Sequence, residues 1–203
     1  MSWARLQPYE RKRQLRAQML ALRNNRPSLE LDSLSSKIEA RLIEIPAVKN
    51  SRTISTYLHI GSEVRTNGVV EWAILSSKRV IVPITDRTSK RLIFSELKDP
   101  ERELEKGNYG IPEPKPEFRR PVPLEEADVA LVPGVAWDLQ GFRIGYGAGY
   151  YDRSINSLHT PVIKLGLAYE FQMLSKIPRS PFDRRVNKIV TEERIIDTDP
   201  RPL

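Results

Sequence analysis

A chain of 203 residues, 39% hydrophobic and 29% charged, can bury the core of one domain and is short for two, so one domain over residues 1–203 is expected. Without cysteine there is neither a disulfide framework nor thiolate catalysis, and no apolar run approaches the ~20 residues of a membrane helix. The expectation is a cytoplasmic protein. Its net charge of +7 and pI near 9.7 suit a nucleic-acid partner or a basic surface that attracts anionic metabolites.

The segment from Met1 to Arg26 is basic and helical, without the apolar centre of a secretory signal. Leu15, Met19 and Leu22 recur in it at helical spacing and should face a core, while Lys12, Arg16 and Arg23 form an adjoining stripe. Pro27 and Ser28 separate it from a second helix, with Ser28 as its cap. That helix carries Leu31, Leu34, Ile38, Leu42 and Ile45 on one face and ends at Pro46.

Strands and helices then alternate. Arg52 to Leu58 is predicted as a strand, followed by a loop from His59 to Glu63 and a helix from Asn67 to Leu75. Val80 to Pro83 and Arg91 to Leu97 are the next strands. Lys106 to Pro123 is rich in Pro and Gly and should run irregularly over the surface. Asp128 to Val132 suits a strand buried on both faces of a parallel sheet. Trp137 to Leu139 and Phe142 to Ile144, joined by Gln140-Gly141, read as a hairpin. A helix begins near Tyr150, a strand covers Val162 to Ala168, and Asn187 to Val190 should be the last strand. The fold class is α/β: a mainly parallel central sheet flanked by helices, with two helices at the N-terminus.

Gly145, Gly147 and Gly149 alternate just before the helix near Tyr150. Glycine allows φ > 0 and a close approach of main chain to ligand. Successive N–H groups in such a turn, followed by a helix, make an anion nest for which phosphate is the natural guest. A structural glycine turn is the equally open alternative. The loop lacks the Lys-Ser/Thr ending of a P-loop and the spacing of a dinucleotide fingerprint. Arg143 precedes it and Asp152 and Arg153 follow. Asp152 is either a carboxylate at a helix start or a ligand for magnesium beside bound phosphates.

The run LVPGVAWDLQGFRIGYGAGYYDR, residues 131–153, is similar to the signature of the 5-formyltetrahydrofolate cyclo-ligase family. KRQLR (Lys12 to Arg16), ISTYLHIGSEVRT (Ile54 to Thr66), YGIPEP (Tyr109 to Pro114) and VNKIVTE (Val186 to Glu192) match further family marks in order. The resemblance spans nearly the whole chain. It implies Mg2+- and ATP-dependent closure of 5-formyltetrahydrofolate to 5,10-methenyltetrahydrofolate, with release of ADP and phosphate.

ATP would be bound by Lys12, Arg13, Gln14, Leu15 and Arg16, and by Arg143, Ile144, Gly145, Tyr146, Gly147, Ala148, Gly149, Tyr150 and Tyr151. The folate would meet Leu58, Glu63, Tyr109, Tyr146, Gly147, Ala148, Gly149 and Tyr150, with Tyr109 and Trp137 as flat surfaces for the pterin. Lys12, Arg143 and Asp152 would carry catalysis, and Asp152 and Asn187 the Mg2+. The implied chemistry is attack of the formyl oxygen on the γ-phosphate, followed by ring closure with loss of phosphate. His59 and His159 have no role in it.

Three positions depart from the family pattern: Ala148 where Gly or Lys is usual, Asn187 where Asp is common, and Phe182 where a polar residue is frequent. A family paralogue that binds a nucleotide without closing folate is therefore an alternative, as is a basic RNA-binding module. The expected partners are small molecules, with no membrane and no nucleic acid, and a monomer is favoured.

Overall fold

The computed structural model describes residues 8–156 and 161–198; His159 and the first residues of the basic N-terminal segment lie outside them. Helix α1 (Pro8–Asn24) starts on a proline, whose missing N–H is no loss at a first helical position. Met19 is buried and Leu15 half-buried, as the spacing predicts. Leu22, expected in the core, is 43% exposed, because Arg23, one turn beyond Met19, takes the inward-facing position instead. Helix α2 (Ser28–Ile43) has Pro27 at its cap position with no side-chain cap. Ser28 is thus the first helical residue and not the cap; its hydroxyl accepts from Arg65 Nη2 at 3.1 Å. The single turn α3 (Pro46–Lys49) follows.

Strand β1 (Thr53–Ser55) is shorter than Arg52 to Leu58, since the chain leaves the sheet after one more bond, Thr56 N–H to Ile81 O. Helix α4 (Asn67–Leu75) matches its predicted range. Strand β2 (Arg79–Asp86) runs on past Pro83, while β3 (Arg91–Leu97) has its predicted limits. Only Arg79 to Ile81 of β2 pair with β1. Beyond them β2 and β3 continue as a two-stranded ribbon, where β2 has one open side and Pro83 removes no ladder bond on it.

The Pro-rich stretch is tied down by α5 (Pro100–Glu103), β4 (Leu104–Lys106) and β5 (Pro112–Pro114), the two strands pairing antiparallel. Buried Glu113 accepts from Thr85 N–H at 3.0 Å, which fixes this excursion to the end of β2. Strand β6 (Val129–Val132) is buried at all four positions, and β7 (Ala136–Asp138) with β8 (Arg143–Ile144) forms the expected hairpin. Helix α6 (Tyr150–Asn156) and β9 (Ile163–Leu167) follow, then β10 (Met173–Leu174), which pairs with β7. The sheet ends with β11 (Lys188–Val190) and β12 (Ile195–Asp197). Asn187 to Val190 is therefore not the last strand: β12 turns back against β11 and closes that edge.

The seven strands lie in the order β12-β11-β9-β6-β1-β2-β3. The five inner ones are parallel and each edge strand is antiparallel. On one face Leu31, Ile38 and Leu42 of α2 and Val69, Val70 and Ala73 of α4 pack against Ile54, Val80, Val129 and Leu165. Trp137 is fully buried with Val132, Ile155 and Ile189. A Cβ on Gly134 or Gly166 would come within 2.5 or 2.4 Å of its ring, so both positions need glycine to admit the indole. Among the described residues no helix is long and apolar enough to cross a membrane.

Candidate active site

From β1 the sheet continues in one direction to β2 and in the other to β6. Loops leaving the C-terminal ends of β1 and β6 diverge at such a switch point and leave a crevice between them. A cavity of about 890 Å3 occupies it, walled by Tyr57, Leu58 and Glu63 after β1, Pro133 after β6, and Pro83 and Thr85 on the extension of β2. Helix α1 and the glycine loop after β8 form the remaining walls.

Lys12 and Arg16, four residues apart, project from one face of α1 into the cavity. Arg16 Nε donates to Gly145 O at 2.6 Å, and Arg153 Nη2 donates to Ala148 O at 2.7 Å. Two carbonyls of the loop are thus held by cations, while among the described residues the N–H groups of Tyr146, Gly147, Ala148 and Gly149 donate to no protein acceptor. Gly147 and Gly149 have φ of +110° and +70°, a region that side chains other than hydrogen rarely adopt. At Gly147 it is this φ and not space that calls for glycine, since a Cβ there would meet the Arg16 guanidinium at 3.4 Å, an ordinary contact. A turn with unsatisfied amides, positive φ and flanking cations is built for an anion.

Behind the loop, buried Arg143 donates to Asp152 Oδ1 at 2.9 Å and to Arg184 O at 3.2 Å. Burial pushes its guanidinium down from the ordinary value, and Asp152 opposes the shift. Lys12 pairs with Asp183 and donates to Ser180 Oγ. The segment from Ser180 to Arg184 thereby reaches both Lys12 and Asp152, whose Oδ1 also accepts from Arg184 N–H at 3.4 Å.

At the other end Glu63 lines the cavity with 5% of its surface exposed. Its Oε2 accepts from Ile60 N–H at 3.0 Å. Burial raises its carboxyl above the usual range, opposed by that bond, by Arg23 and by Tyr146. Burial and the nearby Glu63 also push the Tyr146 hydroxyl up to about 12, and act in the same direction on Tyr57 and Tyr151. Three phenols and one buried carboxyl line a polar recess beside Leu58, a setting for a planar ligand with N–H donors along one edge.

Most of the expected residues meet here. Lys12, Arg16, Leu58, Glu63, Tyr109, Arg143 and the run from Ile144 to Asp152 all border the one cavity. Arg13 and Gln14 do not, because they lie on the exposed face of α1, and Leu15 packs inward with Met19 and Ile144. Trp137 cannot face a pterin, since it is fully buried between Gly134 and Gly166. Asn187 is not on the cavity wall: its Oδ1 accepts from Lys164 N–H at 2.9 Å, which commits it to the β9–β11 edge. The second acid near Asp152 is Asp183, missed in the sequence because an Asp between Phe182 and Arg184 in a basic loop carries no spacing signal. Phe182 itself is exposed on the cavity rim. Arg16 and Arg153 bring cations beside Ala148 from outside the loop. His59 is half-buried, with Nδ1 accepting from Thr66 N–H at 3.4 Å.

Comparison with known proteins bears on the family and the fold. The model of the 5-formyltetrahydrofolate cyclo-ligase family matches residues 8–192. A 5-formyltetrahydrofolate cyclo-ligase of Haemophilus influenzae is 25% identical, over 86% of this chain and 94% of its own, and one of Escherichia coli is 29% identical, over 80% and 90%. The solved structure of Aquifex aeolicus 5,10-methenyltetrahydrofolate synthetase superposes with a TM-score of 0.82 at 33% identity, covering 95% of each chain.

Proposed function

The chain belongs to the 5-formyltetrahydrofolate cyclo-ligase family, and we propose that its cavity closes 5-formyltetrahydrofolate to 5,10-methenyltetrahydrofolate while cleaving ATP to ADP and phosphate. One observation carries the assignment to this cavity. A single recess of about 890 Å3 joins an anion-binding loop flanked by Lys12, Arg16 and Arg143 to a buried carboxylate set among tyrosines. A triphosphate suits the first end and an amino-pyrimidine ring the second.

An amide oxygen is a poor leaving group, and phosphorylation corrects that. The formyl oxygen attacks the γ-phosphorus, ADP departs, and the neighbouring 10-position nitrogen attacks the activated carbon. Phosphate then leaves with the former formyl oxygen as that nitrogen loses its proton and the ring closes. The chain's residues position and neutralise; none is needed as a nucleophile. Lys12 and Arg16 meet the phosphates from α1, and the amides of Tyr146 to Gly149 hold them from the opposite wall. Arg143 keeps Asp152 oriented behind the loop. Glu63 accepts from the pterin edge, and Leu58 and Tyr109 bound its faces.

Mg2+ fits the phosphate end, where Asp152 and Asp183 each bring a second carboxylate oxygen beyond those committed to Arg143 and Lys12. Bound there with the nucleotide, it would neutralise phosphate charge. The test is incubation of purified protein with 5-formyltetrahydrofolate, MgCl2 and ATP. The methenyl chromophore should appear with one ADP for each ring closed; neither product would end the proposal.

A further inference from the structure

Arg23 is assigned no part in the chemistry above, yet it is among the most costly side chains in the molecule to place where it is. Only 2% of it is exposed. Among the described residues no carboxylate lies within ion-pair distance of it, and its partners are neutral. Nε donates to Ser62 Oγ at 2.9 Å, Nη1 approaches Gly134 O at 3.4 Å, and Nη2 donates to the Tyr146 hydroxyl. A guanidinium buried for stability alone is normally paired directly with an acid, because an uncompensated charge is expensive to desolvate. The acid that senses this one is Glu63, across the network.

The three partners come from three separate segments, each of which lines the cavity at that residue or at the one beside it. Ser62 belongs to the loop after β1, next to Glu63. Gly134 follows β6, and Tyr146 is the side chain of the glycine loop that reaches toward Glu63. Arg23 lies eleven residues beyond Lys12 on α1, or about 16 Å at ~1.5 Å per residue. One helix thus meets the phosphate end with Lys12 and Arg16, and the carboxylate end with Arg23. Arg23 does not itself border the cavity, so it acts through its partners.

We infer that Arg23 is a positioning residue for the folate: its fork clamps Ser62 and Tyr146 in the arrangement that presents Glu63 to the pterin edge. The inference rests on the proposed function of the cavity. In support, Arg23 is a cationic influence on Glu63 that opposes the effect of burial, so it favours the carboxylate form that can accept from the ligand. The other groups facing Glu63 are Tyr57 after β1, Tyr146 on the glycine loop and Tyr151 on α6, all neutral phenols near pH 7. Arg23 is the charge in that shell.

The test uses the full chain with Arg23→Gln, Arg23→Lys and Tyr146→Phe, measuring kcat and KM for each substrate from pH 5 to 9. Arg23→Gln should raise KM for 5-formyltetrahydrofolate by about tenfold to a hundredfold, as loss of one or two charged hydrogen bonds does. KM for ATP should change by less than about twofold. The acid limb of kcat/KM for the folate should move to higher pH in Arg23→Gln and return toward wild type in Arg23→Lys, which restores the charge without the fork. Tyr146→Phe should raise the folate KM, and the double variant with Arg23→Gln should be clearly less than additive. Equal loss for both substrates, an unmoved acid limb, or full additivity would each overturn the inference. If Arg23→Gln does not fold, Arg23→Lys with Tyr146→Phe decides by the same coupling. A wild type that forms no methenyl product fails the assignment of function instead; Arg23 is then judged by direct titration of 5-formyltetrahydrofolate, which should bind wild type more tightly than Arg23→Gln.

Discussion

Lys12 and Asp183, 171 residues apart in sequence, are joined as an ion pair at the phosphate end of the cavity. The pair ties the first helix to the loop before β11, and both side chains are largely shielded from solvent. On the proposed function, it sets a cation for the nucleotide beside an acid for its counter-ion.

Asp183→Asn should therefore raise the half-saturating magnesium concentration of turnover by about tenfold, since a site with one acid in place of two binds the ion more weakly. Asn187→Ala should leave that concentration unchanged, because Asn187 serves the β9–β11 edge. A titration of rate against MgCl2 separates them. The reverse pattern would assign the second magnesium position to Asn187.

Lys12→Ala should weaken ATP more than folate. A rise of about tenfold or more in KM for ATP, with KM for the folate within about twofold, is expected for a phosphate contact. Equal losses would mean that the change had disturbed α1 as a whole.

Two substitutions at Asp152 should part catalysis from stability. Asp152→Asn keeps an oxygen for Arg143 Nη2 and should fold while losing most turnover. Asp152→Ala strips buried Arg143 of its carboxylate, and loss of a partner from such a pair costs about 3–5 kcal/mol in a fully buried setting. Asp152 is 29% exposed at its side chain, so a smaller loss, about 2 kcal/mol, is expected. Thermal melts beside initial rates test both halves. Full activity in Asp152→Asn would remove Asp152 from the mechanism.

The acid side of the pH profile should belong to Glu63. Burial raises its pKa above the ordinary 4.5, so on acidification it takes up a proton earlier than a free glutamate would. Protonation removes charge from the acceptor, and kcat/KM for the folate should fall on that limb while KM for ATP stays flat. Glu63→Gln should abolish the limb along with most of the folate affinity. An ATP term that falls in parallel would contradict the assignment.

Gly166→Ala should destabilise the fold without touching the site. Its new Cβ would lie 2.4 Å from the fully buried Trp137 ring, which has no room to yield. Overpacking of this kind costs about 1–3 kcal/mol, and a chain of this size loses about 2–4 °C in Tm per kcal/mol. Scanning calorimetry should show the fall, with unchanged KM values for the folded fraction.

Much of this arrangement is legible in the sequence. Period gave α4 and β3, and period with Pro or Gly punctuation gave α2, the β7–β8 hairpin and the buried β6, because each is a local pattern. The glycine loop and the Lys12–Arg16 face were legible for the same reason: a spacing of four on a helix and alternate glycines before one are local facts. Arg13, Gln14 and Leu15 came along only as neighbours in sequence, and helical geometry turns them away. Trp137 looked like a surface for a ligand because an aromatic residue reads the same in core and cleft; Gly134 and the distant Gly166 decide the matter. Asp183 and the clamp around Arg23 depend on contacts between residues 39 to 171 apart, for which a single sequence carries no signal. Ser28 and Leu22 failed for a smaller reason, a one-residue shift in where the helices start and face.

Oxygen labelling follows the decisive bond in the proposed chemistry. With 18O in the formyl group of 5-formyltetrahydrofolate and unlabelled ATP and water, the label should appear in the inorganic phosphate, one atom per ring closed, because the formyl oxygen becomes the phosphate ester that leaves. Unlabelled phosphate accompanied by methenyl product would mean that the oxygen departs by another route, and that the phosphate grip between Arg143 and Asp152 does not activate the formyl group.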